Sequence, residues 1–270
     1  MPLDLFRADR PAIGVVHLAP LPGSPRADGG MSAVVEAAVR DARRYADAGF
    51  DGLIVENHGD APFRKERCEP HVAAALARVL VAIDAQVDVP LGVNCLRNDA
   101  ETALGAAVAA DAAYIRVNVL IGAVATDQGI LEGCADTLLR YRSQLGSRVR
   151  ILADVHVKFG TPLYDATAAE TAVTALTRGG ADGVIVTGAR TGAPPNVQEL
   201  AAVHAAVAGR GPVFVGSGAD PENLASMFQT ADGFIVGSSC KEDRDPDRPV
   251  APEAAAAFTS ALRSLRAGGS

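Results

Sequence analysis

The stretch Ile151-Leu-Ala-Asp-Val-His-Val-Lys158 alternates ionisable residues with valines. In an extended strand, Asp154, His156 and Lys158 share one face, and Val155 and Val157 share the other. A carboxylate, an imidazole and an amine on one face can hold, move or stabilise protons. An exposed edge strand would show the same alternation, but a strand covered by helices would instead aim those groups into a pocket. The pattern recurs in shorter form. Arg116 and Asn118 share a face in Tyr114-Ile-Arg-Val-Asn118. Three other β-branched runs end in His17, in Glu56-Asn57 (followed by His58-Gly-Asp60) and in Asn94 (followed by Arg97-Asn98-Asp99). A buried polar group costs about 1–3 kcal/mol unless paired, so polar endings on five successive runs point to a shared site.

The later runs end differently, in Thr187-Gly188, Gly216-Ser217-Gly218 and Gly237-Ser238-Ser239. Small residues let backbone N–H groups approach an anion closely. Gly218 leads through Ala219 and Asp220 to Pro221, as expected for a turn into a helix N-terminus. Ordinary tight turns would use similar residues, but two such loops in succession favour a phosphate cradle. Lys241 and Arg190 are candidates for adding positive charge there.

These groups need elements that bring them together. Phe50-Asp-Gly-Leu-Ile-Val55 recurs as Ala181-Asp-Gly-Val-Ile-Val186 and Ala231-Asp-Gly-Phe-Ile-Val236, and more weakly as Ala110-Asp-Ala-Ala-Tyr-Ile115. Each copy follows an Ala-rich helical pattern and reads as a buried parallel strand. The full set of strands is expected near 12–17, 51–56, 89–95, 112–118, 149–157, 182–187, 212–216 and 232–236. Helices are expected near 31–48, 69–87, 99–110, 131–145, 166–179, 195–208, 220–229 and 251–266, with Asp99 and Asp220 as N-caps. Eight strand–helix units predict a single (β/α)8 barrel over residues 1–270, with 267–270 as a disordered tail. An open doubly wound sheet would carry a glycine-rich first turn. Pro20-Leu-Pro-Gly-Ser-Pro25 stands there instead, and its prolines lack amide hydrogens. In a barrel, the strand ends carry the chemistry, and the last two loops commonly bind phosphate.

Composition narrows the function further. A net charge of −7 without a basic cluster argues against a nucleic-acid partner, and the absence of Trp argues against a base-stacking platform. No apolar run approaches the roughly 20 residues that a membrane helix needs, and no signal-peptide pattern opens the chain, so a cytoplasmic protein with no integral membrane segment is expected. The cysteines at 68, 95, 134 and 240 lack zinc-site spacing and read as reduced thiols. A homo-oligomer is the default assembly for soluble chains.

Several segments resemble the BtpA family, which includes the SgcQ-type proteins. The most specific are Gly14-Val-Val-His-Leu-Ala-Pro-Leu-Pro-Gly-Ser-Pro25 and Val55-Glu-Asn-His-Gly-Asp-Ala-Pro-Phe63. Gly92–Asp99, Ile115–Asn118, Leu152–Lys158, Val186–Pro194 and Val213–Gly218 follow in the family's order and span nearly the whole chain. The resemblance implies a TIM barrel of the ribulose-phosphate-binding type. Cyanobacterial members are linked to photosystem I assembly or stability. One departure is Phe159, where the family often has His after the strand lysine; His156 stands where an aromatic residue is frequent.

Together these readings predict an enzyme acting on a phosphorylated sugar or nucleotide-like metabolite through acid/base chemistry, as an isomerase, epimerase or lyase. His17, Glu56, Asp154, His156 and Lys158 are the expected catalytic groups. Lys158 could stabilise an enolate or form a Schiff base, and Asp154 on the same face favours the charged, electrostatic role. Asn57, Asp60, Asn94, Arg116, Asn118 and Thr187 are expected to bind substrate. Gly188, Gly216, Ser217, Gly218, Gly237, Ser238 and Ser239 are expected to bind phosphate. No cofactor is assigned, although His17, Glu56, Asp154 and His156 could converge on a divalent metal. A hydrolase using Glu56 and Asp154 and a non-catalytic assembly factor remain open alternatives.

Overall fold

The computed structural model describes residues 4–65, 67–188 and 192–268. In chain order the elements are β1 Ala12–His17, α1 Met31–Asp47, β2 Gly52–Glu56, α2 Pro70–Asp84, β3 Leu91–Asn94, α3 Ala100–Ala109 and β4 Tyr114–Val117. Next come β5 Ala123–Thr126, β6 Gly129–Glu132, α4 Ala135–Gln144, β7 Arg150–Asp154, β8 Gly160–Pro162, α5 Ala168–Thr177 and β9 Gly183–Val186. The chain closes with α6 Val197–Val207, β10 Val213–Val215, α7 Leu224–Met227, β11 Gly233–Val236 and α8 Pro252–Gly268. Eight strands form a closed parallel barrel in the order β1-β11-β10-β9-β7-β4-β3-β2, so the predicted (β/α)8 TIM barrel is the fold.

Alternation sorts the strand residues into two cores. Outward residues such as Val16, Leu53, Val93, Ile115, Val184 and Val236 pack with the helices. Ile13, Val15, Ile54, Tyr114, Leu152, Ile185, Phe214 and Ile235 fill the barrel interior. Large rings need missing side chains opposite them: a Cβ on Gly92 would sit 2.2 Å from the Tyr114 ring. The register continues upward, with His17 beside Glu56 and Glu56 beside Asn94, so the next inward layer is polar.

Three expectations need correction. Residues 131–145 are not one helix: Gly129–Glu132 is β6, paired antiparallel with β5, which also pairs with β8. Gly129 at φ +98° and the Thr126 hydroxyl, which accepts from the Gln128 amide, make the turn that a helical reading of the following residues overlooked. The expected helix at 220–229 shrinks to α7, because the Asp220 carboxylate caps the Glu222 and Asn223 amides in a preceding turn. The strand expected through residue 157 stops at Asp154. At the end of the chain, Ala267 and Gly268 belong to α8, whereas Gly269 and Ser270 lie outside the described residues. Asp99 does cap α3, accepting from the Thr102 amide at 3.0 Å.

Candidate active site at the barrel mouth

Arg116, the inward residue of β4, sits at the centre of the mouth. Its Nη2 and Nε donate to the two oxygens of Asp154 at 2.9 and 3.2 Å, and its Nη1 donates to Glu56 Oε1 at 3.2 Å. Asn118 donates to Asp154 Oδ2 at 2.6 Å, and Asn94 donates to Glu56 Oε1 at 3.2 Å. All five residues are buried. Burial opposes ionisation of Glu56, but the Arg116 guanidinium and the Lys158 amine hold its carboxyl below the usual range. Burial likewise opposes the Arg116 charge, and Asp154 and Glu56 more than restore it. The result is a fixed array, in which Asn118 Oδ1 is left without a hydrogen-bond partner among the described residues.

His17 ends β1 beside this array. Its Nδ1 lies 3.0 Å from the Pro246 carbonyl, which can only accept, so Nδ1 carries the proton. Nε2 is left as the basic nitrogen, 3.9 Å from Glu56 Oε2. Burial, then His58 and the nearby lysines, push the His17 pKa well below the ordinary value, so the ring is neutral at neutral pH. The His58 ring lies against it at 4.4 Å between centroids.

The small-residue turns share this mouth. A cavity of about 110 Å³ is lined by His17, Glu56, Arg116 and Lys158 together with Gly216–Gly218 and Gly237–Ser239. Gly218 adopts φ +70°, and a Cβ there would lie 2.1 Å from the Pro194 nitrogen, so only glycine fits. The amides of Ser217, Gly218, Ser238 and Ser239 meet no acceptor among the described residues. They are the donors an anion would need.

Other expected site residues go elsewhere. Asn57 and Asp60 join loops: Asn57 donates to Asp60 and exchanges hydrogen bonds with the Leu96 backbone, while Asp60 accepts from the Leu21 amide. They line a separate cavity of about 330 Å³ with Leu21, Cys68 and Leu96. His156 is not on the face of Asp154, because the strand has ended; its half-buried ring feels the Glu199 carboxylate of α6. The Thr187 hydroxyl donates to the His156 carbonyl, and the Gly188 amide donates to Ser217 Oγ. Lys241 is withdrawn from the mouth by a 2.8 Å ion pair with Asp41 on α1. Arg190 lies outside the described residues.

Sequence reasoning missed Arg244, which lines the cavity near Asp220. The charged run Lys241–Arg248 after the last strand was its signal. Arg97, named among the polar residues after β3 but given no role, donates from Nη2 to the Lys158 carbonyl and anchors that turn.

The four groups named for a metal do not converge, since Arg116 and Asn118 occupy the Asp154 carboxylate and His156 lies apart. Among the described residues, one cluster has donor atoms close enough to share an ion: Cys68, Cys95 and Asp99, with the two sulfurs 3.6 Å apart. Asp99 there already accepts from the Cys68 and Thr102 amides at the start of α3, where the helix dipole opposes a cation.

Comparison with known proteins places this architecture. The fold of a solved native KDPGal structure aligns with a TM-score of 0.62 at 17% identity, covering 99% of this chain and 100% of that one. At that identity the likeness is one of fold. A curated relative from Synechocystis, the photosystem I biogenesis protein BtpA, is 46% identical over 95% of this chain and 89% of its own length. An uncharacterized protein of Pyrococcus furiosus is also 46% identical, over 97% of this chain and 98% of its own, so such relatives are not confined to bacteria. The BtpA family model matches residues 8–264, which take in every strand and the whole mouth; the chain belongs to the BtpA family.

Proposed function

We propose that the mouth binds a phosphorylated small molecule and carries out proton-transfer chemistry on it, as an isomerase, epimerase or lyase. One observation carries this reading: a single cavity is lined both by neutral His17, ionised Glu56, Arg116 and Lys158 and by two glycine–serine turns whose amides meet no acceptor among the described residues. The turns would grip the phosphate, with Arg244 adding charge at the rim. His17 Nε2 would take or return a proton, while Arg116 holds Glu56 ionised, fixes Asp154 in place and orients the polar end of the substrate. The hydrolytic alternative loses support, because Asp154 is held by two Arg116 bonds and by Asn118.

The test is thermal stabilisation by a panel of phosphosugars and nucleotides against their dephosphorylated forms. Phosphorylated members should raise Tm, and His17→Asn should keep that shift while abolishing solvent proton exchange into the bound compound. Equal shifts from both forms would remove the phosphate role.

A second reading has its own support. The Synechocystis relative's name assigns it to photosystem I biogenesis, so an assembly or stability role is the alternative. No helix among the described residues is long and apolar enough to cross a membrane. Mouth variants that fold and retain partner binding but lose function would favour chemistry over a docking surface.

A further inference from the structure

The chain has three lysines among its 25 Lys and Arg residues. Lys65 is exposed on a surface loop. Lys241 is buried against Asp41. The third, Lys158, lines the mouth cavity. Everywhere else the sequence meets its need for positive charge with arginine, which never releases its proton in a protein. A lysine differs in one chemical respect that matters here: its nitrogen can become a neutral nucleophile.

The surroundings of Lys158 favour that state. Its Nζ makes no hydrogen bond and has no carboxylate within 4.0 Å among the described residues, unlike Lys241. The sequence favoured a charged Lys158 because Asp154 would be its counter-ion. In the structure, Asp154 is instead the bidentate partner of Arg116 and also accepts from Asn118. Burial and the neighbouring Arg116 charge outweigh Glu56 and Asp154 and bring the Lys158 pKa down to about 8. Roughly a tenth of the amine is then neutral at pH 7. The turn that carries it is fixed on both sides of Lys158: the Thr187 hydroxyl donates to the His156 carbonyl, Arg97 donates to the Lys158 carbonyl, and β8, which follows, pairs with β5. A group wanted only for charge would gain from a carboxylate partner; this one is isolated, anchored and aimed into the cavity.

We propose that Lys158 is a nucleophile that forms an imine with an aldehyde or ketone substrate bearing a phosphate. The inference rests on the phosphate reading of the same mouth. The neutral amine attacks the carbonyl carbon, a C–N bond forms, and the carbonyl π electrons move to oxygen. One proton passes from nitrogen to that oxygen, giving a carbinolamine. A second proton, taken up from solvent at the basic His17 Nε2 and passed to the hydroxyl, lets it leave as water, and the nitrogen lone pair closes the iminium. No oxidant or other reactant is needed. The iminium then accepts electrons from an adjacent C–H or C–C bond, which gives epimerase and lyase chemistry a common step.

The experiment is borohydride trapping of the full-length protein with dihydroxyacetone phosphate, ribose 5-phosphate and unphosphorylated glycolaldehyde, read by intact mass and peptide mapping. The expected result is one reduced adduct per chain at Lys158 with a phosphorylated probe. Its rate should rise to half-maximum near pH 8. Lys158→Arg should lose the adduct and keep the phosphate-dependent rise in Tm. If phosphorylated probes raise Tm but leave no adduct at Lys158, the imine is overturned and the phosphate reading survives. If glycolaldehyde is trapped at Lys158 and no phosphorylated probe binds, the nucleophile stands and the phosphate reading falls. No adduct and no shift with any probe would end both.

Discussion

The two ends of the barrel share one ring of strands and differ only in what points inward. At the lower end, Phe6 lies edge-on to Tyr114 and Phe214, at 5.7 and 6.3 Å, over a layer of Ile, Leu and Val. Two residues further along the same strands, the inward positions become His17, Glu56, Arg116, Asp154 and Gly216. The lower end gains stability from apolar burial. The upper end must desolvate charges and recovers that loss only through nearly ideal pairing. A cavity of about 250 Å³ also exists at the lower end, but its ionisable pair, His204 and Asp232, is part-exposed at 3.7 Å, and Asp232 serves to accept from the Val213 amide. The candidate site therefore sits where the barrel accepts an energetic penalty, and apolar burial where it does not.

That contrast can be broken deliberately. Phe214→Ala should cost about 3–5 kcal/mol in denaturant unfolding while leaving anion binding in the folded fraction intact. Arg116→Ala should cost a similar 3–5 kcal/mol and also abolish binding, because two buried carboxylates lose their partner. The two variants separate the ends: equal binding loss in both would refute the division. Replacing Glu56, Arg116 and Asp154 together by apolar residues of similar volume should leave stability unchanged or raise it by about 1–4 kcal/mol, with binding gone.

Smaller effects sharpen the same point. Burial depresses the pKa of His17, His58 and His156, so the folded state resists protonation that the unfolded chain accepts near pH 6.5. Stability should fall as pH drops below that value, and Glu56, also depressed, adds a further loss in the carboxylate range below about pH 4.3. Urea midpoints measured from pH 8 to 4 check the sign; a midpoint that rises on acidification would contradict it. The smallest effect is expected from Arg244→Ala, whose side chain is 63% exposed: under about 1 kcal/mol in stability, with anion affinity reduced and its salt dependence weakened.

The sequence carried the fold because every barrel strand is a short β-branched run and the helices between them are amphipathic. It also carried Glu56, Arg116 and Asp154, since alternation alone turns them inward. It could not carry their partners. Asp154 serves Arg116 rather than Lys158 because β4 pairs directly with β7 while the chain turns away after Asp154, and Lys241 finds Asp41 across 200 residues of chain. His156 misled because a two-residue period holds only while the strand lasts, and the backbone turns after Asp154. Asn57 and Asp60 looked like ligands because loop bracing and ligand binding use the same amides and carboxylates.

The seam between β1 and β11 joins the beginning of the chain to its end, and Gly237 packs so near His17 that a Cβ would lie 3.2 Å from the imidazole. During synthesis, the first strand is made long before its closing neighbour leaves the ribosome. The pocket has no partial form to inherit: His17 and the Gly237–Ser239 turn meet only once β11 has been made, so a chain released before it should lack the assembled pocket however much of the ring it contains.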